Sequence, residues 1–381
     1  MAQQAIDAMV GYITDGMANL HGAFPTSVKT DALLLDGRAA MADLLNCAPQ
    51  EVAFGQNMTS LAFSIARSLG SFVSEADEIV VTELDHRANV DPWVTLAKDK
   101  GAQVKFIPLD PETYTLDLGN LEEIITDKTK LVAVGMSSNV TGTVTDIARV
   151  IARAKAVNAI VVIDAVHAVP HLTIDFRRLG CDVLLCSGYK FFGPHIGIAV
   201  VAASLFEKLP VYKLKPAPQE IPDKLETGTQ NHEAIAGLIG AISFIESMGE
   251  GASRRERLVS GMQRIEEYEL QLAERIERFL GSIPEVRLYR APAGTPKTPT
   301  FAFTIQNVNA REATSWFAER YNMCIADGHF YASTMADKLG VNPMGGWIRI
   351  GLAPYNTPEE VALFEQGLQE FISERVLRAE S

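Results

Sequence analysis

The sequence predicts an α/β protein in which a mainly parallel, seven-stranded sheet carries helices on both faces and a smaller α+β domain follows. Three observations predict it. Short β-rich apolar runs alternate with helically spaced segments from about residue 50 to residue 200. Composition then shifts near residue 210, where KLPVYKLKPAPQEIPDKLETGTQ is rich in Pro and Lys and reads as an extended connection. Beyond it lie two long helical patterns and a second, separate set of strands.

Taken in order, apolar residues recur at helical spacing over 2–20 and 30–46. EVAFG precedes a helix at MTSLAFSIARSLG, and EIVVTEL precedes one at ANVDPWVTLAKDKG. QVKFIPL leads to a helix near LDLGNLEEIIT, and LVAVGM to one near TDIARVIARAKAVN. AIVVIDA, DVLLCSG and IGIAVV complete the sheet. HEAIAGLIGAISFIESMG and ASRRERLVSGMQRIEEYELQLAERIERFL are helical, the second amphipathic, charged and long enough to bridge domains. After Gly281, EVRLY and TFAFTIQ read as strands and REATSWFAERY as a helix. MCIAD, WIRIGL and a closing helix at TPEEVALFEQGLQEFISERV end the chain. The expected division is a large domain over 15–255 and a small C-terminal domain over 256–381, the latter joined by the N-terminal helix 1–14.

Bulk composition narrows the function. The chain has 381 residues, 47% hydrophobic and 21% charged, as in an average globular enzyme. A net charge of −13 without a Lys/Arg block gives no electrostatic footprint for nucleic acid or an anionic membrane. No apolar run approaches the roughly 20 residues of a membrane span, and MAQQAIDAMVGYITDGM lacks the basic start of a signal peptide. Four cysteines without CxxC spacing read as reduced thiols. A cytoplasmic enzyme is expected.

In an open parallel sheet, ligands bind beyond the carboxyl ends of the strands. Those ends carry GQNMTS, LDHRAN, SSNVTG, DAVH and SGYK. Lys190 sits in SGYKFFGPHIGI between two runs that read as buried strands, and Asp164 closes AIVVID. A desolvated lysine loses its proton and becomes a nucleophile toward carbonyls. PLP (pyridoxal 5′-phosphate) needs such a lysine for its Schiff base and an Asp to keep its pyridine nitrogen protonated. A surface lysine and a turn-capping Asp fit the same letters. The helix start at Met58 or Thr59 and the Ser187 hydroxyl suit a phosphate, while Thr59 as a plain N-cap also fits. His86 can stack on a planar ring or move a proton, and Asn139 and His167 can hydrogen-bond a phenolic oxygen. His167 and His171 have HxxxH spacing, but Pro170 interrupts a helix there and further ligands are missing, so no metal is expected. Arg349 in WIRIGL needs a buried partner, either an internal carboxylate or a substrate's α-carboxylate.

These residues stand in the order used by one family. Through LDHRANVDPW, SSNVTGTV, VVIDAVHAVPH, SGYKFFGPHIGI, ETGTQNHEAIAGL and RIGLAPYNTPEE, nearly the whole chain resembles the class V aminotransferases, fold-type I PLP-dependent enzymes. It is most similar to their cysteine desulfurase and selenocysteine lyase branch. The resemblance implies that Lys190 carries PLP as a Schiff base and Asp164 pairs with the pyridine nitrogen. His86 would stack on the ring and assist proton transfer, and Asn139 and His167 would sit near O3′. The family usually has Gln at the position of His167 and His at that of Tyr189. Met58 and Thr59, with Ser187, would bind the phosphate. Thr229 would reach the phosphate of a neighbouring subunit, implying a homodimer with shared sites. Arg349 would hold the carboxylate of a small amino-acid substrate, with His329 and Tyr331 beside it.

Two departures follow. Desulfurases carry a nucleophilic Cys on a small-domain loop, and the matching position in MCIADGHFYASTMADKLG is Tyr331; Cys324, in the preceding apolar run, reads as core. Relatives also carry a further N-terminal segment that helps close the site, whereas this chain opens at MAQQAIDAM. The leading expectation is a C–S or C–Se lyase working through a Cα carbanion. A desulfurase with an unusual thiol and an aminotransferase or epimerase use the same cofactor residues. A catalytically silent homologue acting through its dimer surface is the reading from another class.

Overall fold

A computed structural model describes residues 1–379. The main sheet comprises β1 (Val52–Gly55), β2 (Glu78–Thr82), β3 (Gln103–Ile107), β4 (Thr129–Gly135), β5 (Ile160–Asp164), β6 (Val183–Ser187) and β7 (Gly197–Val201). Its order is β1-β7-β6-β5-β4-β2-β3. All pairings are parallel except those of β7, which runs antiparallel to both neighbours. β2, β6 and β7 are buried along their whole length, which is why they read as continuous apolar runs rather than alternating ones. Alternate residues feed separate cores: Val80, Val132 and Ile163 face one layer, and Ile79, Ala133 and Val162 the other.

The helices that matter for the site are α1 (Gln3–Thr14), α2 (Pro25–Leu45), α3 (Met58–Leu69), α4 (Asp91–Lys100), α5 (Ile147–Ala156), α6 (His232–Ser247) and α7 (Arg254–Gly281). α2 starts five residues before the expected position 30, because Pro25 occupies its first turn, where a missing N–H costs nothing. α1 departs from expectation more sharply. It packs on α6 of the large domain, not on the C-terminal domain. Gly240 makes this possible, since a Cβ there would lie 2.3 Å from the Gln4 carbonyl oxygen. Ala2 N–H also donates to the Phe192 carbonyl at 2.8 Å.

The C-terminal domain has an antiparallel sheet of β8 (Val286–Tyr289), β9 (Thr300–Ile305), β10 (Ala326–Gly328) and β11 (Trp347–Gly351), ordered β8-β9-β11-β10. Phe301 and Phe303 of β9 pack with Phe317 and Phe364 in its own core, under α8 (Ala310–Tyr321) and the closing helix Pro358–Ala379. α7 spans the two domains. Near its start, Arg255 donates to the carbonyls of Leu44 at 2.6 Å and Ile174 at 2.8 Å. Near its end, Arg275 pairs with Glu365 at 2.6 Å. A boundary at residue 256 therefore falls at the start of a helix shared by both domains.

Candidate active site

The carboxyl ends of the central strands open into a cavity of about 600 Å³, closed on its far side by the small domain. β1 ends at Gly55, and the chain crosses β7 before entering α3. That crossing is tight: a Cβ on Gly197 would lie 2.3 Å from the Asn57 carbonyl carbon, so only glycine permits it. Asn57 caps α3 by accepting the Ser60 N–H at 2.8 Å, and Met58 N–H points to the Ser187 hydroxyl at 3.4 Å. Met58, Thr59 and Ser187 thus share one corner of the cavity, with free N–H groups and a helix dipole suited to an anion.

Asp164 ends β5 and lines the same cavity. Removal from water pushes its carboxyl up to about 7, opposed by the Val166 N–H it accepts and reinforced by Asp85. Lys190, in the turn after β6, has its ammonium 5.0 Å from the centre of the Tyr189 ring. Burial, then Arg349, lowers its pKa. His86, after β2, is held neutral for the same reason: burial, with Lys190 and Arg349, lowers its pKa to about 4. His167 is also driven low by burial, and its Nε2 lies 3.1 Å from the hydroxyls of Thr298 and Thr300 in the small domain.

The far wall comes from the loop 329–334 and β11. Arg349 donates to the Asn139 carbonyl at 2.8 Å and stacks at 3.9 Å on the Phe330 ring. Asn139 donates to the Phe330 carbonyl at 2.9 Å, while its side-chain oxygen is buried without a partner. Phe330 and Tyr331 adopt positive φ (51° and 58°), which turns the loop over the opening. Arg87 ties it down, donating through its backbone N–H to the Tyr331 carbonyl at 2.8 Å and through its guanidinium to Thr334 at 3.0 Å.

Ten of the expected residues therefore line one cavity: Met58, Thr59, His86, Asn139 and Asp164, together with His167, Ser187, Lys190, Tyr331 and Arg349. His329 opens that loop outside the cavity lining, accepting the Tyr331 N–H on Nδ1 at 3.0 Å. Thr229 lies elsewhere, in a second cavity of about 670 Å³ beside Leu35 and Arg38. Asp85 and Phe63 line the main cavity and escaped the reading of the sequence. Asp85 directly precedes His86, yet a carboxylate just past a strand reads as a surface turn.

The sequence profile of the family described as Aminotransferase class-V matches residues 1–364. This chain belongs to the class V aminotransferase family. An uncharacterised protein of Mycobacterium tuberculosis is 32% identical over 347 residues, 90% of this chain and 86% of its own length. A cysteine desulfurase of Yersinia pestis is 31% identical over 383 residues, covering 96% of this chain and 89% of that one. The solved apo structure of a cysteine desulfurase from Thermococcus onnurineus superposes with a TM-score of 0.88 at 26% identity, covering 98% and 92% of the two chains. The class V family is PLP-dependent, and this chain is a PLP enzyme.

The residues present fit that cofactor. An anion corner at a helix start, an uncompensated lysine, a desolvated carboxyl and the unpartnered oxygen of Asn139 are the donor set PLP requires. The four cysteines bear on the reaction. Cys324 is exposed, correcting its assignment to the core: β10 begins only at Ala326, so Cys324 lies in the turn that follows α8. Cys47, Cys181 and Cys186 are buried, and burial pushes the Cys47 and Cys181 thiols up to about 12. Among the described residues, no His/Cys/Asp/Glu group could hold a metal ion and no helix is long and apolar enough to cross a membrane.

Proposed function

We propose that this chain is a PLP-dependent lyase that cleaves the C–S or C–Se bond of a small amino acid without a protein thiol. The observation that carries it is Tyr331, which occupies the loop position facing Lys190's cavity while no cysteine lines that cavity. Persulfide chemistry needs an accessible low-pKa thiolate; elimination does not.

PLP supplies an electron sink for the electron pair left at Cα. The chain's own residues do the rest. Arg349 holds the substrate carboxylate; its own charge survives burial, which lowers its pKa only to about 10. Lys190, whose pKa burial lowers, takes the Cα proton. Asp164 would hold the ring nitrogen, whose positive charge would favour the carboxylate form. His86 offers a flat neutral ring, with the Tyr331 ring tilted against it at 5.2 Å. Asn139 and His167 would hold the ring's phenolic oxygen. With L-cysteine the balanced outcome is cysteine plus water giving sulfide, pyruvate and ammonium.

A second copy of the chain completes the site. Val10, Ile13 and Leu35 are large apolar side chains about half or more exposed along α1 and α2. Leu35 also borders the cavity that holds Thr229. A homodimer covers this stripe and brings Thr229 to the partner's phosphate corner. The test is product analysis: pyruvate in step with sulfide supports the lyase, and alanine with a persulfide on Cys324 supports a desulfurase instead.

A further inference from the structure

Behind Asp164 lies a second carboxyl that none of the roles above uses. Asp85 is 6% exposed and lines the main cavity. Its Oδ2 accepts the Asn89 side-chain amide at 2.8 Å and the Gly135 N–H at 2.7 Å. Both donors are neutral, and Asp85 forms no ion pair among the described residues. Gly135 is also the register partner of Asp164 across β4 and β5. A Cβ at Gly135 would stand 2.7 Å from Asp85 Oδ1, so glycine at this strand end is what lets the carboxyl lie against the sheet beside Asp164.

A buried carboxylate with only neutral partners is costly unless a cation arrives. The cation available at this strand edge is the one that Asp164 is read as facing. We propose that Asp85 is a positioning residue for the cofactor: its charge, set behind Asp164 through Gly135, strengthens the hold on the protonated pyridine nitrogen. This rests on the assignment of Asp164 to that nitrogen. A purely structural Asp85 would instead tie the turn after β2 to β4, through Asn89, whose own side-chain oxygen accepts the Trp93 indole N–H at 3.3 Å.

The two roles separate in a binding experiment. PLP and its analogue with CH in place of the ring nitrogen are titrated into ligand-free wild type, Asp85→Asn, Asn89→Ala and Asp164→Asn, with affinity read from the absorption of the bound chromophore. Asp85→Asn is expected to weaken PLP about tenfold, as one charge removed at intermediate dielectric would, and to leave the analogue nearly unchanged. Asn89→Ala, which keeps the charge and loosens the turn, is expected to keep the wild-type ratio of the two affinities. Equal weakening of both ligands in Asp85→Asn, or none, overturns the proposal. If Asp164→Asn alone loses the preference for PLP, only the role of Asp85 falls; if neither variant loses it, the reading of Asp164 falls as well.

Discussion

The ring of Tyr331 lies 5.2 Å from that of His86 at an interplanar angle of 31°, although one belongs to the small domain and the other to a strand end of the large one. The contact places an aromatic cover where desulfurase relatives are expected to carry their thiol. Replacing Tyr331 by Cys is therefore expected to change the product, not merely the rate. The variant should yield alanine and a persulfide on the introduced thiol, detected as a sulfur-atom mass increase. Pyruvate as the sole product of Tyr331→Cys would mean the loop is not where sulfur leaves.

Arg349→Ala should separate substrate binding from cofactor binding. The guanidinium is anchored by Asn139 and Phe330, and under the proposed function its remaining partner is the substrate carboxylate. A charge-assisted bond of about 1.5–3 kcal/mol corresponds to a KM raised roughly tenfold to a hundredfold. The visible absorption of the bound cofactor should persist. Unchanged KM for the amino acid would remove Arg349 from the substrate site.

The sheet strands were legible because most are short apolar runs buried on both faces, and the strand-end motifs followed from parallel topology. Less was legible where small residues decide. Gly240 docks α1 on the large domain, and Gly197 lets the Asn57 loop cross β7, yet in a sequence a glycine marks only freedom. β10 spans three residues, too few for a pattern, which is why Cys324 read as core. Asp85 was hidden because burial, not residue type, makes a strand-end carboxylate unusual.

Asp164 gives the ligand-free protein a pH signature. Its folded pKa is about 7 against 3.8 for an ordinary carboxyl, so the folded state holds a proton that the unfolded chain releases. The stability this adds is complete below 3.8 and is lost as pH rises through about 7. Asp164→Asn is neutral throughout and should overtake wild type in Tm across that interval. With PLP bound the order should reverse, because the ring cation then favours the carboxylate. Parallel Tm curves for the two ligand-free proteins would contradict the assigned burial.

The exposed stripe on α1 and α2 predicts assembly. Leu35→Glu should shift the protein toward monomer in sedimentation and weaken PLP retention, since Thr229 would no longer reach a partner. A monomeric wild type that retains PLP fully would count against shared sites.

The most direct test is the fate of L-cysteine on the PLP-loaded enzyme, with Lys190→Ala and Cys324→Ser beside it. The account predicts pyruvate, sulfide and ammonium in equal amounts, unchanged in Cys324→Ser and absent in Lys190→Ala. Alanine in place of pyruvate, lost together with a persulfide in Cys324→Ser, would contradict it.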